Sequence, residues 1–328
     1  EYLPMTIALA KAGHHVIYCQ SRYPNNDSAL IMEKVVVDMG ACIRDAKERL
    51  GYKKVVLAGW SGGGSLSLCY QSQAEHPTVT ATPAGEPPDL TQADLIPADG
   101  MMLLAAHIGR SHTLTQWLDA SILDESDPDK KDPELDLYNP ENPNQAPYSA
   151  DFVARYRAAQ LERNRRITAS VQERLSDFRA RGKDKQEFGF VVHGTMADPK
   201  WLDATLDPNG RKPRWCFLGE PEVVNNSPIG IARFTSLRSW LSQWSYDLSN
   251  ADGVRCAPQV SIPALVLSNS CDDAVTPEDS RAMSDALGSQ DKIEVVIEGA
   301  NHYYFGQPEK LTEAVAACSG WLQEKGFA

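Results

Sequence analysis

A chain of 328 residues with 42% hydrophobic and 23% charged side chains has globular composition, and it is long enough for one large core or for a core with an inserted subdomain. Its formal net charge of -12 sets it against nucleic-acid phosphates and anionic lipid, so neither nucleic acid nor membrane is expected as a partner. No apolar run approaches the ~18 residues of a membrane span, and the seven cysteines (Cys19, Cys42, Cys69, Cys216, Cys256, Cys271, Cys318) show neither metal-ligand spacing nor a disulfide framework, which suits a reducing, cytoplasmic setting.

The first third alternates helix and strand signals, the pattern of parallel βα units. Residues 3–12 suit a short helix, and Lys11, His14 and His15 break the opening stretch so that it does not read as a signal peptide. Residues 14–19 suit a strand. Ile31, Met32, Val35, Val36, Met39, Ile43, Ala46 and Leu50 then recur at helical spacing, with Glu33, Asp38, Arg44 and Lys47 filling the other face, which predicts an amphipathic helix laid on a sheet. Gly51 ends it. Residues 54–58 form a short β-branched run of the kind that fills a central parallel strand, 62–73 a helix, and 101–106 a buried strand.

Beyond that strand the rhythm is lost. Residues 122–148 are rich in Asp, Glu, Pro and Asn and read as an irregular excursion, 150–182 as one long Arg-rich helix, and 233–246 as another helix. The βα alternation returns after Pro263, with strands at 264–268 and 293–297 and helices at 277–287 and 308–324. The predicted fold class is therefore α/β: a mostly parallel sheet flanked by helices, with a large, mainly helical cap inserted after the strand at 101–106. The domain reading is core at 1–107, cap at 108–257 and core again at 258–328.

Gly59-Trp60-Ser61-Gly62-Gly63 fits the G-x-S-x-G elbow and stands directly between a predicted strand and a predicted helix, where that motif holds a serine in a strained turn. Gly59, Gly63 and Gly64 remove side chains that would collide as strand and helix cross. The Gly62 amide opens the helix, where a free N–H and the helix dipole favour a developing oxyanion. A serine hydroxyl is a poor nucleophile unless a base takes its proton and a third group orients that base. His302 and Asp272 each lie just past the carboxyl end of a predicted strand, where an α/β sheet gathers its active site. His107, at the end of the strand at 101–106, is the other histidine so placed, and a pocket-lining or structural role is expected for it.

Gly-Trp-Ser-Gly-Gly at 59–63, Asn-Ser-Cys-Asp-Asp-Ala-Val-Thr-Pro at 269–277 and Gly-Ala-Asn-His at 299–302 resemble the α/β-hydrolase superfamily over residues 1–107 and 258–328. The resemblance implies Ser61 as nucleophile, Asp272 as acid and His302 as base, in the chain order that this fold uses. It selects Asp272 over Asp273, which is expected to point away from the histidine. Asn269 stands where the family's acid turn usually has Gly. The resemblance also implies three strands and an oxyanion loop ahead of residue 3. The chain thus reads as truncated, with 14–19 as the fourth strand of the parent sheet and a second oxyanion donor upstream.

The expected function is hydrolysis of a carboxylic ester of a small molecule through an acyl-enzyme, without cofactor or metal, with Gly62 as oxyanion donor. Trp60, His107, Trp240 and Trp244 are the candidate substrate-binding residues. Carbon–carbon bond hydrolysis, peptide hydrolysis or acyl transfer by the same triad, and a non-catalytic ligand-binding role on the same scaffold, are the alternatives. Asp124, Glu125, Asp127, Asp129, Asp132, Glu134 and Asp136 lack the glycine and terminal glutamate of a calcium loop and read as a solvated loop. The run from Arg155 to Lys185, interleaved with Glu162, Glu173 and Asp177, reads as a solvated helix face.

Overall fold

Gly100 to Leu104 is buried at every position, so this strand has to be covered on both faces. The computed structural model, which describes residues 3–327, covers it with two layers of helix. Among the described residues six strands occur in chain order: β1 (Val56–Trp60), β2 (Gly100–Leu104), β3 (Gly189–Val191), β4 (Phe234–Ser236), β5 (Ala264–Asn269) and β6 (Lys292–Ile297). Four of them make the central parallel sheet in the order β1-β2-β5-β6, with Trp60 paired to Leu104 and Leu104 to Leu267 at its carboxyl end. The helices are α1 (Pro4–Lys11), α2 (Met32–Arg44), α3 (Gly62–Glu75), α4 (Arg110–Trp117), α5 (Ala150–Ala180), the short α6 (Pro199–Leu202), α7 (Pro221–Asn226), α8 (Leu237–Ser239) and α9 (Gly253–Cys256), then α10 (Pro277–Ala286) and α11 (Pro308–Glu324).

Alternation along the strands divides the core. Met101, Leu103, Ala264 and Val266 face α2, α3 and α10 through Val35, Val36, Leu68, Tyr70 and Met283. Met102, Leu104, Leu265 and Leu267 face α1 and α11 through Met5, Leu9, Val315, Cys318 and Trp321.

The chain leaves the sheet after Leu104 and rejoins it at Ala264. Between them lies a long insertion that includes α5, in which β3 and β4 pair antiparallel with each other outside the central sheet, while Ile108, Ala251, Cys256, Ala257 and Val260 pack in the core beside the sheet. Asx turns shape its acidic excursion. Asp124 accepts the Ser126 N–H, Asp132 the Glu134 N–H and Asp136 the Tyr138 N–H.

Three expectations are corrected. Residues 14–19 form no strand: their contacts to neighbouring segments run through the side chains of His14, His15 and Cys19 and no ladder forms, while Val16, Ile17 and Tyr18 are exposed. The stretch 233–246 is not one helix, since it starts as β4, turns at α8 behind the Ser236 cap and ends in a five-residue π turn, Trp240–Trp244. The basic run on α5 is not wholly solvated either. Arg163 is 1% exposed, and its guanidinium donates to both carboxylate oxygens of Glu125 and to the carbonyls of Asp119, His193 and Gly194.

Candidate active site

β1 ends at Trp60 and α3 starts at Gly62, so Ser61 alone turns the chain. It does so at φ 49°, ψ −119°, in the region that costs a residue with a β-carbon roughly 1–3 kcal/mol. Surrounding hydrogen bonds hold that strain in place. The Ser61 N–H donates to the Leu104 carbonyl at 3.0 Å, while the Gly64 and His107 N–H groups donate to the Ser61 carbonyl at 3.1 and 3.3 Å. Close packing requires two of the three glycines: a β-carbon on Gly59 would lie 2.6 Å from the Gly63 carbonyl oxygen and one on Gly64 only 2.3 Å from the Ala106 β-carbon, but one on Gly63, against expectation, would meet open space.

His302 follows β6 and Asp272 follows β5, and both are 1% exposed. His302 Nδ1 and Asp272 Oδ2 are 2.9 Å apart. Asp272 Oδ1 accepts the Ala274 and Val275 N–H groups at 2.8 and 2.7 Å, which locks the carboxylate's orientation. With the carboxylate accepting from Nδ1–H, the neutral ring presents a lone pair at Nε2. That Nε2 is buried and without a hydrogen-bond partner, and no hydrogen bond joins it to Ser61 among the described residues. The ring sits among aromatic neighbours: Trp60 at 5.7 Å, Phe217 at 6.2 Å and Tyr303 at 4.6 Å between centroids.

Asp273 leaves the ring to Asp272, and its pKa is raised by burial and then by the adjacent Asp272 carboxylate. Asn269 has a use that the sequence pattern left unassigned. Its side chain donates to the Asn301 carbonyl at 3.0 Å and accepts from the Tyr304 hydroxyl at 3.0 Å, tying the acid turn to the histidine loop. The signal was the side chain itself, at a position where glycine is usual.

Of the four candidate substrate-binding residues, Trp60 and His107 lie at the elbow. Trp60 packs on His302, and His107 Nε2 approaches Gly62. Trp244 is one step back, its ring centre 5.5 Å from the Arg110 guanidinium, whose Nε in turn nears Gly62. Trp240 is elsewhere. It is fully buried inside the insertion, donating to the Thr168 hydroxyl and packing on Phe190, because the insertion needs an apolar core of its own. The insertion reaches the site through Phe217 and through Asn209, whose side-chain amide donates to the Asp272 carbonyl at 2.9 Å. A groove of about 590 Å³ beside Asn209, Cys271 and Arg281 opens behind the acid turn and includes neither Ser61 nor His302, so its size does not mark it as the reacting site. Among the described residues no group of three His, Cys, Asp or Glu side chains is arranged to hold a metal ion.

A model described as the alpha/beta hydrolase family matches residues 20–314. Among solved structures, the chain is similar to the monoacylglycerol lipase of Paleococcus ferrophilus, at 17% identity and a TM-score of 0.45 over 98% of this chain and 88% of that one. It is also similar to a thermophilic esterase of Thermogutta terrifontis, at 17% identity and a TM-score of 0.36 over 90% and 74% of the two chains. The proline iminopeptidase of Mycobacterium smegmatis matches at 13% identity and a TM-score of 0.36 over 88% and 70%. No curated protein matches.

Proposed function

The chain belongs to the alpha/beta hydrolase family, and from that premise we propose that it is a serine hydrolase cleaving a carboxylic ester through an acyl-enzyme on Ser61. The observation that carries this reading is the state of His302: Nδ1 faces a fully satisfied carboxylate, while Nε2 is buried beside the elbow with nothing to accept from. Leaving a buried acceptor unpaired costs about 1–3 kcal/mol, and a base awaiting the nucleophile's proton gives that cost a purpose.

In the proposed reaction the Ser61 hydroxyl attacks the ester carbonyl and passes its proton to His302 Nε2. The carbonyl oxygen, now negative, takes the Gly62 N–H at the start of α3. As the tetrahedral intermediate collapses, His302 returns the proton to the departing alcohol. Water then repeats the sequence on the acyl group, so no cofactor is required. The Ser61–His302 hydrogen bond forms as substrate fills the site, in keeping with the loose geometry of unliganded catalytic groups. Residues 108–257 act as the cap that bounds the small-molecule pocket, with Phe217, Trp60 and His107 as its nearest walls.

Labelling with a fluorophosphonate tests the reading. Covalent labelling that is lost in Ser61→Ala supports it; no labelling, or labelling indifferent to that change, would point to a ligand-binding protein on a hydrolase scaffold.

A further inference from the structure

His107 stands at the elbow with its tautomer fixed. It follows β2, donates its main-chain N–H to the Ser61 carbonyl, and is 9% exposed. Its Nδ1 accepts the Gly109 N–H at 3.1 Å. A neutral imidazole that accepts at Nδ1 carries its proton on Nε2. That Nε2 lies 3.1 Å from the point that a β-carbon on Gly62 would occupy, and Arg110 Nε lies 3.5 Å from the same point. Any side chain after Ser61 would fill this space. Glycine leaves it open, next to the amide that begins α3, with N–H donors along its wall.

We infer that His107 is a catalytic residue, a neutral imidazole whose Nε2–H donates to the oxygen of the reacting carbonyl alongside the Gly62 N–H. The inference deepens the serine-hydrolase reading and rests on it. Burial, and then the charges of Arg110, His302 and His112 around the ring, bring its pKa down to about 3, so the imidazole is neutral at neutral pH. No proton is transferred from it. The Ser61 proton still travels to His302 and on to the alcohol, while His107 lowers the energy of the oxyanion between those steps. A neutral imidazole polarising a carbonyl is established enzymic chemistry. Arg110 sets the background charge: it donates to Gln243, lies over Trp244 and is 3.9 Å from Asp27, so its positive end is held by those three residues while its Nε faces the elbow.

The test is the second-order rate of phosphonylation by a fluorophosphonate, measured on the 328-residue chain and on Ser61→Ala, His107→Leu, His107→Gln and Gly62→Ala, each with a thermal unfolding curve. Phosphonylation also builds negative charge on an oxygen beside Ser61, so the probe reads the donor without knowledge of the natural ester. His107→Leu is expected to slow labelling by roughly 10²–10³, the range for loss of one oxyanion donor. His107→Gln, whose amide can donate, should recover at least about tenfold of that loss. Gly62→Ala places a methyl against Nε2 and should slow labelling by about tenfold or more; it carries the same test if the leucine variant unfolds. Labelling of folded His107→Leu within about threefold of the parent, or equal losses in Leu and Gln, overturns the inference. Absence of Ser61-dependent labelling in the parent chain overturns the hydrolase reading instead, and that result is read before any His107 variant.

Discussion

Of the two adjacent carboxylates at 272 and 273, Asp272 faces His302 Nδ1 and accepts two main-chain N–H groups, whereas Asp273 has its pKa raised by burial and by the neighbouring Asp272. Asp272→Asn is therefore expected to lower turnover by roughly 10²–10⁴, because an amide there favours the wrong tautomer. Asp273→Asn should change it by less than about tenfold, checked by steady-state kinetics with folding verified. Equal losses would remove the distinction. Position along the chain and the family pattern point to Asp272 rather than Asp273; the Asn209 bond to the Asp272 carbonyl was not legible, because it comes from a loop brought from elsewhere. His107 adds a prediction about pH. Its folded pKa of about 3 lies below the ordinary histidine value, so the unfolded chain binds the extra proton. The stability this contributes is complete above pH ~6.5 and is lost as pH falls from there toward 3, at up to about 1.4 kcal/mol per unit. Chemical denaturation of the parent chain between pH 6.5 and 4.5 should accordingly lose more stability than that of His107→Gln. Parallel losses would show that the ring is not held neutral.

At the level of elements, what survived from sequence is what a single element decides for itself. β2 and β5 are apolar runs buried on both faces, and α11 (Pro308–Glu324) falls on the predicted residues with Cys318 and Leu322 against the sheet. What failed depends on partners. Residues 14–19 have strand composition, but a strand exists only beside another. The middle of α5 has the composition of a solvated face, yet Gln160, Arg163 and Asn164 are buried there, because the irregular segments packed on α5 bring carbonyls that need donors. Arg163→Met should thus destabilise the insertion by about 1–3 kcal/mol, since Glu125 and three carbonyls each lose one donor, although Arg166 still reaches Glu125 and the Asp119 N–H still reaches the Gly194 carbonyl. A fall in melting temperature of less than about 2 °C would contradict that account of α5. At the elbow the argument is steric. Gly64→Ala would bring two β-carbons to 2.3 Å and should lower both stability and turnover, whereas Gly63→Ala, with open space around the added carbon, should be far milder.

At the scale of the whole molecule, hydrogen bonds join the insertion to the elements around the sheet. The joints are polar: Asn209 donates to the Asp272 carbonyl, the buried Lys200 ammonium to the Thr276 hydroxyl, and Ser242, which receives the Met32 N–H, donates to the buried Glu33 carboxylate. Burial raises the Glu33 pKa, so that carboxylate depends on Ser242 and Asn250 for its hydrogen bonds. Because one joint ends on the acid turn, Asn209→Ala is expected to lower turnover about threefold to tenfold, the worth of one hydrogen bond, while the melting temperature changes little. Among the described residues no helix is long and apolar enough to cross a membrane. The central claim remains the acyl-enzyme on Ser61, and it is tested most directly by rapid-quench mass spectrometry with p-nitrophenyl acetate. The account predicts a burst of nitrophenol, with an acetyl group mapped to the peptide that contains Ser61 and lost in Ser61→Ala. Turnover with no acyl adduct on that peptide, or a burst that persists in Ser61→Ala, would contradict it.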